Sequence, residues 1–176
     1  MQVAVYSRCD SVRLELNGKV IGEKPVSAAT KLTAKFDVPY QPGELRAVGL
    51  INGKAVAKTT LKTAGPAKEL RLTADRSAIR ADRNDLSYVT VEVVDKNGSV
   101  VPTVAIPVRF TVTGVGELAA AGSSAPNDAS SFHVPLRKTY DGRALAILRP
   151  AGDAGKITLK AEADGLKAAT LVIQTR

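Results

Sequence analysis

The stretch SVRLELNGKVIGEK, from Ser11 to Lys24, decides the fold class because it has the pattern of a complete β-hairpin. Its first half alternates Val12, Leu14 and Leu16 with polar side chains, which is the period of a strand with one buried and one exposed face. Asn17-Gly18 then supplies two residues that tolerate positive φ angles, as a tight type I′ turn requires. The same dipeptide occurs at Asn52-Gly53 and Asn97-Gly98, so we predict the same turn at all three places.

Period-two patterning continues along the whole chain, and no segment shows a sustained helical repeat. Short strands separated by turns rich in Gly, Pro, Asn and Asp are typical of β-sandwiches and barrels. The patterning breaks at KTAGPAK, Lys62 to Lys68, where Gly65-Pro66 marks the best candidate for a linker. We therefore predict an all-β chain made of two tandem β-sandwiches, over residues 1–64 and 65–176.

The strand predicted over Ser87–Asp95 sets a register that a structure can test. Alternate side chains should point inward and outward: Val89, Val91 and Val93 into the second sandwich, Thr90 and Glu92 away from it. Phe110 lies on the apolar side of VRFTVTG and is predicted to be core. Cys9 is the only cysteine, so no intrachain disulfide is possible, and we expect it to pack half-buried.

The formal net charge of +8 raises the question of a nucleic-acid partner. The densest basic cluster, RSAIRADR, contains acidic residues as well as Arg76, Arg80 and Arg83, and no aromatic residue interleaves with it to stack bases. A solvated surface explains this cluster better, and we predict no nucleic-acid partner.

The first residues, MQVAVYS, have neither the basic start nor the sustained apolar stretch of a signal peptide. No apolar run approaches the roughly 20 residues that a membrane span needs, so no span is predicted. Because the chain starts abruptly in strand-like sequence, we expect it to be a piece of a longer protein.

The sequence offers no complete set of residues for hydrolytic or metal chemistry. His133 is the only histidine, and no Gly-x-Ser-x-Gly elbow is present. Cys9 and His133 cannot supply the three or four ligands of a zinc site, so neither a metal nor another cofactor is predicted. The acidic residues fall on outward strand faces or in turns rather than in a dry cleft: Glu15, Glu92, Glu162, Asp95, Asp141 and Asp153.

The one long irregular stretch runs from Ala121 to Lys138, and a loop of that length in a compact sandwich is often functional. It contains Phe132 and His133, and Tyr140 follows it closely. These three residues are our candidates for contact with a ligand or with a neighbouring domain.

The first part of the chain resembles a small domain found late in glycoside hydrolase family 2 enzymes, chiefly β-galactosidase-like ones. The features that carry this resemblance are VAVYS, DSV before LELNG, VPYQPG and the TAGP linker, all present in order. The second part, with VTVEVVDKNGSVVP and DGRALAILRPAGDAGKITLKA, is similar to the C-terminal immunoglobulin-like domain that follows in the same enzymes. The resemblance covers nearly the whole chain and implies two immunoglobulin-like sandwiches.

The resemblance also implies where catalysis takes place in such an enzyme. The catalytic glutamates of the family lie in an upstream (β/α)₈ barrel, which needs about 250 residues and is not in this sequence. No catalytic residue can therefore be assigned here. The implied partners are the barrel and other domains of the same parent chain, and the implied location is periplasmic or extracellular. The family's first domain begins upstream of Met1, so we expect an edge strand of that domain to be missing.

The leading hypothesis is a non-catalytic accessory region of a β-galactosidase-like hydrolase. Two alternatives stay open. The second part also resembles the repeated immunoglobulin-like modules of bacterial invasins and adhesins, which would make the chain a surface adhesion or stalk module. The third possibility is a carbohydrate-binding module that uses the long loop with Phe132 and Tyr140.

Overall fold

The computed structural model describes all residues from 1 to 176. It contains strands β1 to β15 and no helix, so nothing in it has the length and apolarity of a membrane-spanning helix. The predicted all-β class is confirmed. By its contacts the chain divides into two compact units, Met1–Thr63 and Ala64–Arg176.

The strands of the first unit are β1 (Gln2–Tyr6), β2 (Ser11–Leu16), β3 (Lys19–Pro25), β4 (Thr33–Asp37), β5 (Glu44–Ile51) and β6 (Lys54–Lys62). Those of the second unit are β7 (Glu69–Ala74), β8 (Ala78–Ile79), β9 (Ser87–Val94), β10 (Pro107–Gly114), β11 (Gly116–Gly122), β12 (Leu136–Lys138), β13 (Arg143–Pro150), β14 (Gly155–Glu162) and β15 (Ala169–Thr175).

The first unit is a sandwich of a two-stranded sheet, β1-β4, and a four-stranded sheet of order β3-β2-β5-β6. Val12, Leu14 and Leu16 of β2 are at most 7% exposed and belong to one core cluster with Phe36 of β4. The alternation of apolar and polar residues within Ser11–Lys24 therefore identifies a strand face that lies in the core.

One flank of the first unit is open. The register places Ala57, Thr59 and Leu61 of β6 on the same face as the core residues of β2 and β5, yet all three are exposed, Leu61 at 67%. β1 pairs only with β4, so its other edge has no strand partner. The inner face of β6 is therefore not covered by a strand of this unit.

Two of the three predicted Asn-Gly turns have the expected geometry. Between β2 and β3, φ is +52° at Asn17 and +79° at Gly18; between β5 and β6 it is +49° at Asn52 and +74° at Gly53. Both residues of each pair take the left-handed conformation of a type I′ turn.

The prediction for the third dipeptide is wrong, because Asn97 does not have a positive φ and only Gly98 does, at +79°. Asp95 causes the difference. Its Oδ1 accepts hydrogen bonds from the backbone N–H groups of Asn97 at 2.8 Å and Ser99 at 2.9 Å, which fold the segment around a side chain.

The second unit packs a five-stranded sheet, β12-β10-β14-β15-β8, against a four-stranded sheet, β11-β13-β9-β7. The register predicted for β9 is confirmed, since Val89, Val91 and Val93 are fully buried while Thr90 and Glu92 alternate with them. Phe110 is 4% exposed, as predicted for a core residue, and Cys9 in the first unit is half-buried.

The long irregular stretch is shorter than predicted. Ala121 and Gly122 belong to β11, and Leu136–Lys138 forms β12, which pairs with β10. The irregular part, called here the 123–135 loop, joins these two strands. β8 was also not predicted, because two residues are too few to show a period.

Candidate binding surface beside the 123–135 loop

Arg137 of β12 fastens the 123–135 loop to the second unit. It pairs in register with the core residue Val108, and its side chain is only 1% exposed. Nη1 donates to Asp128 Oδ2 at 3.0 Å and to Ser130 Oγ at 2.7 Å, and Nη2 donates to the Ser131 carbonyl at 2.6 Å. A guanidinium is buried at high cost unless partners of this kind satisfy it. The loop and the buried charge therefore hold each other in place.

Asp128 is the anionic half of this contact. Hydrogen bonds from the Ser130 hydroxyl and backbone N–H, with a further one from Arg137, lower the pKa of Asp128 to about 2. The carboxylate is therefore ionised at neutral and at mildly acidic pH.

Phe132 stands at the end of the fastened segment. The Arg137 guanidinium carbon lies 5.8 Å from the centre of its ring, within the range of a cation–π contact. Its carbonyl accepts a hydrogen bond from the Ala121 N–H at 2.7 Å. The ring lies over Gly122 so closely that a Cβ at that position would be 3.3 Å from ring atom Cε1. The residue is nevertheless 61% exposed.

Phe132 forms one wall of a groove of about 360 Å³, called here the Phe132 groove. Its floor is the outer face of β11, β13 and β9, where two cross-strand rows lie side by side. One row is Gly122, Leu145 and Thr90; the other is Ala120, Ile147 and Tyr88. Hydroxyl groups come from Thr90, Ser123 and Ser124 in the lining, and Arg143 stands at one end.

Tyr88 belongs to the same outer face, opposite Ile147, and is 42% exposed. On both sides of the two rows the outer face carries charged residues. On one side, Glu92 accepts hydrogen bonds from Arg71 at 2.8 Å and from Arg143 at 3.2 Å. On the other side, Glu117 lies 3.8 Å from Arg149. The apolar strip of this face is therefore short.

The structure separates the three residues that the sequence singled out. Phe132 lines the groove, whereas His133 and Tyr140 do not. His133 is exposed in the loop, and its backbone N–H donates to Ser131 Oγ at 3.3 Å. Tyr140 is 41% exposed beside the turn at Asp141-Gly142. Sequence reasoning missed Arg137 and the place of Tyr88, because both depend on which strands pair.

Two carboxylates of the second unit, those of Glu92 and Asp95, hold structural contacts. Glu92 is shared by two arginines, as described above. Asp95 is 1% exposed, so its prediction as an ordinary turn residue understated its burial. Its carboxylate accepts a hydrogen bond from the Gly65 N–H at 2.8 Å. This bond and those from the N–H groups of Ser99 and Asn97 lower the pKa of Asp95. No three His, Cys, Asp or Glu side chains converge closely enough to hold a metal ion.

Fold and surface together define a protein of two β-sandwich units in the immunoglobulin-like class, with an aromatic groove on the second. Residues 70–172 match the family described as glycoside hydrolase family 2 C-terminal domain 5, and residues 1–57 match a domain family of unknown function. The chain therefore belongs to the C-terminal domains of glycoside hydrolase family 2, as the resemblance indicated.

Relatives agree with this assignment. A β-galactosidase of Bacteroides ovatus is 37% identical over 96% of this chain and 20% of its own length. A β-glucuronidase of Formosa agariphila is 27% identical over 97% of this chain and 17% of its own length. The crystal structure of a glycosyl hydrolase family 2 member from Bacteroides cellulosilyticus superposes with a TM-score of 0.95 at 36% identity, covering 99% of this chain and 23% of that one. The chain spans about one fifth of the length of these relatives.

Proposed function

We propose that this chain is the non-catalytic C-terminal accessory region of a β-galactosidase-like enzyme of glycoside hydrolase family 2. Its own role is structural: it packs beside the catalytic barrel, spaces it, or shapes the rim of the substrate cleft. The observation that carries the proposal is the match over nearly the whole chain to about one fifth of full-length glycosidases. The family assignment favours this parent over the invasin-type adhesion module.

The carboxylates support the non-catalytic part of the proposal. A retaining glycosidase needs two carboxyl groups about 5 Å apart around a sugar, one of them with a raised pKa. Here the pKa values of Asp85, Asp95 and Asp128 are lowered, not raised, by hydrogen-bond donors. Glu92, the acidic residue nearest the Phe132 groove in the sheet register, accepts hydrogen bonds from two arginines.

The open flank of the first unit supports a place inside a longer chain. A further strand on the free edge of β1 would satisfy its backbone groups and cover Leu61 on β6. We assign that strand to the parent sequence upstream of Met1. Extending the chain upstream by one strand should raise the melting temperature. An extension of equal length with a scrambled sequence is the control, and equal melting of both would remove this support.

The parent is further proposed to act in the periplasm or outside the cell, an assignment supported by the family resemblance alone. Fractionation of the native host tests it: activity confined to the cytoplasmic fraction would contradict it.

The decisive experiment deletes residues 1–176 from the parent enzyme. It measures kcat on an aryl β-galactoside and the melting temperature, each for the shortened and for the full-length enzyme. We expect kcat per folded molecule to change little while the melting temperature falls, because the barrel keeps its glutamates and loses a packing surface. The point variant Val91→Asp in the full-length parent is the matched control, since it disrupts the second unit without shortening the chain. Loss of kcat with unchanged melting in either protein would show a chemical role and refute the proposal.

A further inference from the structure

We propose that the Phe132 groove binds one or two neutral pyranose rings of an oligosaccharide, stacked on the exposed ring of Phe132 over the floor of Leu145 and Ile147. Tyr88, which pairs with Ile147, stands next to this floor on β9. The inference concerns the second unit itself and does not depend on the activity of the parent enzyme. It rests on the fastening of Phe132, on the dimensions of the apolar floor and on the polar groups of the lining.

The first argument is that the protein fixes an exposed ring through a buried charge. Phe132 is 61% exposed, yet the Arg137 guanidinium against which it packs is buried. That guanidinium donates hydrogen bonds to Asp128 and to the Ser131 carbonyl, next to Phe132 in the chain. A ring held in advance loses little conformational freedom when a ligand stacks on it, which is the benefit of preorganisation.

The second argument is the spacing. Phe132 lies over Gly122 on β11, and Tyr88 is on β9, with β13 between them. Two strand spacings are about 10 Å, so the strip of sheet from β11 to β9 is about as wide as a sugar ring with its substituents. Along β13, the apolar floor consists of Leu145 and Ile147, which are about 7 Å apart. The strip therefore fits one pyranose ring or two.

The third argument is the chemistry of the lining. A pyranose presents a C–H face, which suits an aromatic ring and an apolar floor, and hydroxyl groups at its edge. Hydroxyl groups of Thr90, Ser123 and Ser124 line the groove, and that of Ser123 also donates to Asp128 Oδ2 at 3.4 Å. An anionic ligand is less suited, because the Arg143 guanidinium is already hydrogen-bonded to Glu92 at 3.2 Å. A stable protein partner would need about 800 Å² on this side, and the ion pairs at both ends interrupt the apolar strip well before that.

The experiment is an NMR titration of the whole chain, labelled with nitrogen-15, using methyl β-galactopyranoside, lactose, cellobiose and maltose as probes. We expect at least one probe to shift the amide signals of Thr90, Gly122 and Leu145 with a Kd in the millimolar range. Phe132→Ala and Tyr88→Ala should each weaken that binding by about fivefold or more. Tyr140→Ala is the matched control, since Tyr140 is 41% exposed against 42% for Tyr88 and belongs to neither of the two cross-strand rows, and it should leave Kd unchanged.

A second variant tests preorganisation. Arg137→Met should weaken binding while Phe132 is still present, and the amide spectrum of the rest of the second unit will report whether the sandwich stays folded. The proposal is overturned if no probe shifts the groove amides at about 50 mM, well above a millimolar Kd. It is equally overturned if the shifts persist unchanged in Phe132→Ala and Tyr88→Ala.

Discussion

Arg137 and Asp95 are the two charged side chains that the second unit buries almost completely, at 2% and 1% exposure. Each forms hydrogen bonds with a different kind of partner. Asp95 accepts from backbone N–H groups, at Gly65, Asn97 and Ser99, and so fixes two stretches of chain. Arg137 donates mainly to the 123–135 loop. In both cases a single buried charge orders a segment that has no regular hydrogen-bond ladder of its own.

The Asp128–Arg137 contact should make the stability of the second unit depend on acid pH. The pKa of Asp128 is lowered from 3.8 to about 2 on folding, so its contribution is complete above about pH 4 and is lost as the pH falls towards 2. Asp128→Asn should melt at a lower temperature than the parent at pH 7. The difference should shrink between pH 4 and pH 2. Melting curves at a series of pH values test this, and a difference that stays constant down to pH 2 would contradict it.

Val91→Asp tests the core at the same scale. Val91 is fully buried between the two sheets of the second unit, so an aspartate there has no partner and we expect a loss of about 3 kcal/mol or more. Val172→Asp is the control, because Val172 is a strand valine that is 42% exposed. Denaturant unfolding measures both variants. Equal stability of Val91→Asp and Val172→Asp would mean that the register of β9 is wrong.

At the scale of the element, β6 is an edge strand exposed along its whole length. Such an edge invites pairing with another chain, and natural sheets guard against this with lysines. β6 carries a lysine at every fourth residue: Lys54, Lys58 and Lys62. Lys58 and Lys62 share one face of the strand, whereas the register shift between Gly49 and Leu50 places Lys54 opposite Ile51 on the other face. Charge therefore repeats along the free edge.

Removing lysines from this edge should promote association between chains. We expect the double variant Lys54→Thr/Lys58→Thr to form larger species than the parent, as measured by light scattering over a range of concentrations. Lys62 is left in place because its Nζ lies 3.2 Å from Glu44. Lys68→Thr/Lys96→Thr is the control, since it removes the same charge from exposed positions outside β6. Equal light scattering by the two double variants would argue against a protective role of the β6 lysines.

The elements also show what could be predicted from the sequence. The Asn17-Gly18 and Asn52-Gly53 hairpins were predictable because the turn and both strands are local. β8 was not, because Ala78 and Ile79 pair with Gln174 and Thr175 at the far end of the chain. For the same reason Phe132 could be singled out as an exposed loop aromatic, whereas Tyr88 as its neighbour across the sheet could not. Local signals place residues on faces, and only long-range pairing brings those faces together.

At the scale of the whole molecule, the basic excess of +8 matters less than how the acidic groups are used. Glu15, Asp85 and Glu92 are 13–14% exposed at their side chains, and each forms an ion pair with an arginine. These carboxylates are therefore committed to contacts with neighbouring side chains of the scaffold. The charge pattern therefore agrees with an accessory role.

The last prediction concerns the activity of the whole chain. By itself it should not hydrolyse aryl β-galactosides, because catalysis needs two carboxyl groups about 5 Å apart at a sugar, one kept protonated. Glu92 is the acidic residue nearest the Phe132 groove in the sheet register, and its carboxylate is engaged by two arginines. Release of nitrophenol from the β-galactoside is the measurement, with a full-length family 2 β-galactosidase as positive control. Turnover above the buffer rate would contradict the accessory role if it were abolished by Glu92→Gln or by replacing another single Asp or Glu. Turnover that survives every such substitution would point to a contaminating enzyme.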